Sequence, residues 1–385
     1  MKTRLQKIFD KDARELGFGG LFDETRVKAP FNRLYLHHRA RFESHIQSIE
    51  RIRLPEKRLR IAMGFADSPE FNAFAFPHDD QYFVGMPYGT VLILNDLYLR
   101  IMASQNVLPQ IGDPGSQPKP KLLDSILTSA DGLTIASDNP LGLNVGPTDP
   151  IREAYAAYLI QIAFEFLFAH EYQHIEGGHL DWNINRGRKM MCEYWADELR
   201  AEEALDKQVL EIEADAAAVR WSLKITMDKS NDHWRVPPAL TELLTVAENR
   251  LRAWLFATGT LFRLMDEMGC RSNHFAQMSH PPALMRSYFC LPAATYILGG
   301  LPLTHGVLDL LPLATDEADL ALRSIAHAPP KAPGIRDALS RGSREYAIHI
   351  NRLIRHWPQV RSELSPIAAR LGGSNAPDEY FELIP

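Results

Sequence analysis

The pattern of apolar and polar positions changes several times along the chain, and each change predicts a different kind of element. Residues 1–60 are polar and read mainly as helix. From Arg60 the runs RIAMGF, FNAFAFP, QYFVGM and TVLILN are short, rich in β-branched and aromatic residues, and separated by Asp, Ser, Pro and Gly, so they predict a small sheet. Residues 105–150 are dense in Pro, Gly, Asp and Ser and predict a long irregular insertion, a kind of segment that is usually functional or mobile. Residues 151–176 then predict one long buried helix, because YAAYLIQIAFEFLFA is apolar almost all round. Gly177-Gly178 supplies its stop, since glycine takes the left-handed conformation at little cost. Helical patterns continue over 189–227, over 239–269 and after 315, with proline-marked breaks beyond 300 and no repeat of fixed period.

Composition narrows the picture. At 385 residues, with 45% hydrophobic and 23% charged, the chain has the make-up of a protein with a real core and room for two or three domains. The expected division is a basic helical region at 1–60, a central domain at 61–300 carrying the 105–150 insertion, and a helical region at 301–385. Three cysteines, Cys192, Cys270 and Cys290, form no CxxC pair, exclude a disulfide scaffold and suit a reducing cytoplasm. No apolar stretch near the start resembles a signal peptide. Residues 154–169 carry Gln161 and Glu165, and residues 291–314 carry three prolines, His305 and Asp309, so neither reads as a membrane span. The net charge of -6 argues against a nucleic-acid binder, although it conceals 15 Lys+Arg against 8 Asp+Glu in residues 1–60. A solvated helix face accounts for that local excess.

The chemistry is concentrated in AHEYQHIEGGH. His170, Glu171 and His174 form HExxH late in the predicted buried helix. A spacing of four residues is a little over one helical turn, so both imidazoles project from one face and can chelate a single ion. Neutral imidazole nitrogens suit Zn2+, and Glu171 can reach a water at the open position. A third ligand is then needed. Leu180 occupies the place where a metzincin has its third histidine, and His179 lies one position short of it. Two glutamates remain, each with an aspartate four residues on that can orient a ligand histidine: Glu193 with Asp197, and Glu211 with Asp215. Glu193 follows His174 by 19 positions, the thermolysin type of spacing, whereas Glu211 opens a strongly helical stretch, EIEADAAAVRW.

Four segments in order, FNAFAFP, HEYQH with His179, EIEAD followed by AAAV, and SHPPALMR, resemble the signatures of the CaaX-prenyl-protease and HtpX type of gluzincin metallopeptidase. The resemblance runs from Phe71 to Arg286 and leaves both ends of the chain outside it. It implies an α+β, mainly helical fold, a zincin-like metallopeptidase core with a small sheet packed on the active-site helix. It favours Glu211 over Glu193 as the third metal ligand beside His170 and His174, with Glu213 as the off-face neighbour. It implies His280 as the donor to a developing oxyanion, with Tyr288 a poorer candidate; Arg286 is then either an anchor for its loop or for a carboxylate such as Asp215, or a surface arginine. Many relatives span membranes, whereas this chain has no clear span, a wide insertion and only 37 positions from His174 to Glu211. Those departures fit a soluble, cytoplasmic branch. A looser likeness, on HExxH and layout alone, is to the phage-exclusion protease Lit.

The function expected is a zinc-dependent endopeptidase acting on a protein or peptide bound as an added strand near Asn72–Phe76, with no membrane or nucleic-acid partner. The insertion at 105–150 is long enough to cover that strand edge. The alternatives are a zinc-stabilised interaction or sensor protein without turnover, and a phage- or stress-response protease dedicated to one host factor. Trp221, Trp254 and the phenylalanines of the 160s read as core, and Cys192 as a residue without a metal role.

Overall fold

The computed structural model describes residues 2–29, 31–117, 122–131, 146–187, 191–192, 201–228, 238–269, 278–299, 307–330, 343–377 and 381. These residues are mainly helical and carry one small sheet. Helices α1 (Arg4–Glu15) and α2 (Phe31–Ile52) precede strands β1 (Arg60–Ala66), β2 (Phe74–His78) and β3 (Gln81–Pro87), and helix α3 (Tyr88–Ala103) follows. The long helix α4 (Pro150–Glu176) leads into α5 (His179–Asn185), the two-residue strand β4 (Met191–Cys192) and α6 (Ala201–Met227). Next come α7 (Pro238–Thr245), α8 (Ala247–Gly269), α9 (Ala283–Leu298), α10 (Val307–Arg323) and α11 (Ser343–Leu371).

The strand order is β1-β3-β2-β4; β1 runs parallel to β3, while β2 is antiparallel to both β3 and β4. Three of the four runs expected as strands are strands. The fourth, TVLILN, lies inside α3. The reason is burial: 14 of the 16 residues of α3 are buried, so the run has no polar face from which a period of two or of 3.6 can be read. Its buried polar pair shows the helical spacing, since Arg100 Nε reaches Asp96 Oδ1 at 2.8 Å one turn away.

Helix α4 forms where its sequence dictates. Asp149 caps it by accepting from the Arg152 backbone N–H at 2.8 Å, and Pro150 occupies the first turn, where a missing N–H costs nothing. The helix stops at Glu176 and Gly178 takes φ +79°, where an added Cβ would also meet Ile367 at 2.7 Å. Strands β2 and β3 pack against α4, as do α3, α6 and α8, which makes it the central rod of the main core. The N-terminal region docks on the same rod: Phe42 stacks on Phe168 at 4.5 Å, and Glu165 is held by Arg41, by His45 at 3.1 Å and by Gln161 at 2.8 Å.

The described parts of the 105–150 segment are irregular and tied down. The fully buried Arg152 guanidinium donates to five backbone carbonyls, those of Met102 (2.6 Å), Ser104 (2.9 Å), Val107 (2.8 Å), Leu108 (3.0 Å) and Ile111 (2.8 Å). The chain leaving α3 is thus wound around one side chain of α4, which satisfies carbonyls that would otherwise be buried without partners. Farther on, Ser129 bridges to Glu70, and the Ala130 N–H donates to the Pro69 carbonyl at 2.7 Å. Residues 118–121 and 132–145 lie outside the described residues.

Among the described residues no helix is long and apolar enough to cross a membrane.

Candidate metal centre

Helices α4 and α6 pack along each other, and their contact brings the HExxH segment against EIEAD. His170, His174 and Glu211, each at most 1% exposed, form a group whose ligand atoms all lie within 4.8 Å of one another. His170 Nε2 is 3.0 Å from His174 Nε2 and 3.3 Å from Glu211 Oε2, and His174 Nε2 is 3.7 Å from Glu211 Oε1. The two histidines come together because four residues make one turn of α4. Glu211 comes in because α6 packs closely along α4.

The partners of the far ring nitrogens determine what this group can hold. His170 Nδ1 lies 3.0 Å from Asp215 Oδ1, and Arg286 grips Asp215 with two hydrogen bonds of 2.8 Å. Burial alone would raise the Asp215 carboxyl, but the Arg286 guanidinium and the His170 hydrogen bond hold it below its ordinary value. As an ionised acceptor, Asp215 requires the proton of His170 on Nδ1. His174 Nδ1 likewise faces His179 Nδ1 at 2.8 Å. Burial, and then the neighbouring His170 and His179, push His174 well below the usual histidine range, so it is neutral. With the proton of each histidine on Nδ1, both Nε2 atoms would present lone pairs to one another across 3.0 Å. Glu211 Oε2 makes no hydrogen bond among the described residues. Two imidazole nitrogens and a buried carboxylate oxygen converging on one point fit a cation, and the His2Glu donor set suits zinc.

The other expected residues fall as follows. Glu171 is fully buried beside His170. His280 sits with Nε2 at 3.3 Å from Glu211 Oε2, while its Nδ1 is 2.8 Å from Ser279 Oγ. Arg286 binds Asp215 rather than the surface. Tyr288 packs edge-on against Phe289, with ring centroids 5.8 Å apart. His179 stands behind His174 and outside the converging group. Glu193 and Asp197 lie outside the described residues, as does Cys270; Cys192 is described only as part of β4. Trp254 is core and donates to Ser222 Oγ at 2.9 Å, and Trp221 is partly buried, 3.4 Å from Glu165 Oε2.

Near Asn72–Phe76 the chain is anchored before the strand begins, since the Asn72 N–H donates to Thr90 Oγ1 at 3.0 Å and the Thr90 hydroxyl returns to the Asn72 carbonyl at 2.6 Å. The outer edge of β2 carries β4, which pairs Phe74 with Cys192 and Ala75 with Met191. At Phe74 and Ala75 the edge is thus covered by a segment from after the HExxH helix, and the described part of the insertion bridges just upstream, at Glu70.

Two residues with no part in the expected site also touch it. Gln173 and Glu213 are buried partners, with Gln173 Nε2 3.0 Å from Glu213 Oε1. The C-terminal segment after α11 reaches the same place, where Ala376 N–H donates to Glu213 Oε1 at 2.7 Å and the Ser374 carbonyl accepts from Gln173 at 3.1 Å. The signal in the sequence is the E-x-E-x-D run: three acids at two-residue spacing on a buried helix cannot share one face, so each face needs its own partner.

Comparison with protein-family models, with curated proteins and with solved structures found no match.

Proposed function

We propose that this protein is a zinc-dependent endopeptidase with a zincin-like core of the CaaX-prenyl-protease and HtpX type. The observation that carries the reading is the convergence of His170 Nε2, His174 Nε2 and Glu211 on one buried point, with the far nitrogen of each histidine held by a polar partner. His170, His174 and Glu211 would hold the ion. When bound, zinc supplies a Lewis acid that activates water and polarises a carbonyl. Glu171 would take the proton of the attacking water as its oxygen joins the carbonyl carbon. It would then deliver that proton to the amine nitrogen as the C–N bond breaks. His280, beside Glu211, is the candidate donor to the negative charge that develops on the carbonyl oxygen.

A protein substrate binding as an added strand beside Phe74 and Ala75 takes the place now held by Met191–Cys192. That occupied edge, together with a donor group at most 1% exposed, favours a second reading: a metal-stabilised protein without turnover. Metal analysis paired with a protein-cleavage assay, on the wild type and on Glu171→Gln, separates the two. Zinc in both with cleavage only by the wild type supports the endopeptidase. Zinc in both with no cleavage by either supports the second reading, and a wild type that binds no zinc overturns both.

A further inference from the structure

Behind His174 the structure continues through two more titratable side chains that ligate nothing themselves. His179, the first residue of α5, meets His174 Nδ1 with its own Nδ1 at 2.8 Å. Its other nitrogen, Nε2, lies 3.0 Å from Glu213 Oε2, a close polar contact rather than a linear hydrogen bond. All three side chains are at most 1% exposed. With His179 neutral, the proton count along this row closes in one way. A neutral histidine carries one N–H, so if His174 donates from Nδ1, His179 must accept at Nδ1 and carry its own proton on Nε2, facing the Glu213 carboxylate. That arrangement leaves His174 Nε2 bare and turned toward His170 and Glu211. The opposite arrangement would turn His179 Nε2, as a bare lone pair, against a buried carboxylate oxygen, which is repulsive.

Glu213 is itself held in place. Gln173 Nε2 reaches both of its oxygens at 3.0 and 3.2 Å, and the backbone N–H of Ala376 donates to Oε1 at 2.7 Å. A buried carboxylate with three fixed neighbours is a rigid anchor. Asp215 plays the matching part for His170, with Arg286 as its support.

We propose that Glu213 and His179 are positioning residues, which act in series to fix the tautomer and orientation of His174 as a metal ligand. The inference rests on the reading of His170, His174 and Glu211 as a zinc site. It gives the E-x-E-x-D run two outer partners, Asp215 for His170 and Glu213, through His179, for His174.

The test is zinc affinity of the full-length protein, stripped of metal and titrated against a competing chromophoric chelator. Four forms are compared: wild type, Glu213→Gln, His179→Leu and His179→Asn. Loss of an outer partner typically weakens metal binding about 10- to 100-fold, and that is the loss expected for Glu213→Gln and His179→Leu. Asparagine at 179 keeps an oxygen acceptor near the position of Nδ1, so His179→Asn should recover most of the affinity that leucine loses. Thermal melting of the metal-free proteins runs alongside. A merely structural role would lower the melting point of Glu213→Gln and His179→Leu while leaving their zinc affinity at the wild-type value, and that result overturns the proposal. Should His179→Leu not fold, Glu213→Gln against His179→Asn decides in the same way. A wild type that binds no zinc overturns the metal reading itself, which is a distinct outcome from a wild type that binds zinc with unaltered variants.

Discussion

Arg286 and Asp215 face each other side-on, with Nε and Nη2 of the guanidinium each 2.8 Å from a different carboxylate oxygen. Both side chains are almost fully buried, and Asp215 also meets His170. Removing one charge from such a buried pair leaves the other without its counter-charge, which costs about 3–5 kcal/mol. Arg286→Met should therefore lower the stability of the metal-free protein by about that much in urea unfolding. The double variant Asp215→Leu with Arg286→Met should recover much of the stability but not the zinc affinity, because His170 has then lost the acceptor that orients it.

The choice of third ligand is decided by substitution. Glu211 lies 3.3 Å from His170 Nε2, so Glu211→Ala should abolish stoichiometric zinc in metal analysis. Glu193→Ala should leave zinc content at the wild-type level. The reverse order of loss would move the ligand to Glu193.

Helix α4 carries the clearest structural prediction. Arg152 is the common donor to five buried carbonyls, and leaving even one such group unsatisfied costs about 1–3 kcal/mol. Lysine has three donors on a single nitrogen and cannot reach carbonyls spread around a planar fork. Arg152→Lys should thus destabilise by at least about 3 kcal/mol, and hydrogen exchange should rise first over residues 104–111.

Acid should loosen the seam between the N-terminal helices and α4 in two stages. His38 is buried against Phe164, with ring centroids 4.0 Å apart, and burial lowers its imidazole to about 3. Between pH 6.5 and about 3 the unfolded chain takes up a proton that the folded chain refuses, so stability falls with falling pH by up to about 1.4 kcal/mol per unit. Glu165 moves the other way in cause but not in sign. Burial would raise it, yet His45 and Arg41 bring it down to about 2, so its contribution is complete above pH 4.5 and is lost as pH falls toward about 2. His38→Leu should flatten the first stage and leave the second, as read by urea midpoints across that pH range.

The legibility of these features in the sequence follows from how much pattern each leaves. The HExxH helix was readable because it is long, apolar and stopped by Gly177-Gly178. Strands β1, β2 and β3 were readable from aromatic and β-branched runs between turn residues. Helix α3 was not, since a fully buried run erases its own period. Convergence of His170, His174 and Glu211 could be anticipated from spacing and from resemblance, because each ligand sits on a regular helix. The Glu213–His179 contact could not, because it depends on how α5 turns back after Gly178 and on where residues 374–376 pass. Long-range placement of this kind leaves no local periodicity. The pairing of β4 with β2 is hidden for the same reason.

That pairing supplies the last prediction. Backbone hydrogen bonds between β2 and β4 occupy the edge along which an extended substrate would lie, next to the helix that carries His170 and His174. Among the described residues β4 pairs over two positions only, and displacing so short a pairing is far cheaper than unfolding the sheet. Proline cannot donate to a ladder, and Met191→Pro or Cys192→Pro should therefore weaken the pairing without touching the metal group. Under the endopeptidase reading these variants should keep full zinc content and cleave an unstructured protein faster than the wild type. Unchanged zinc with slower cleavage would instead make β4 part of the surface that receives the substrate, and strand addition beside Phe74 and Ala75 would have to be abandoned.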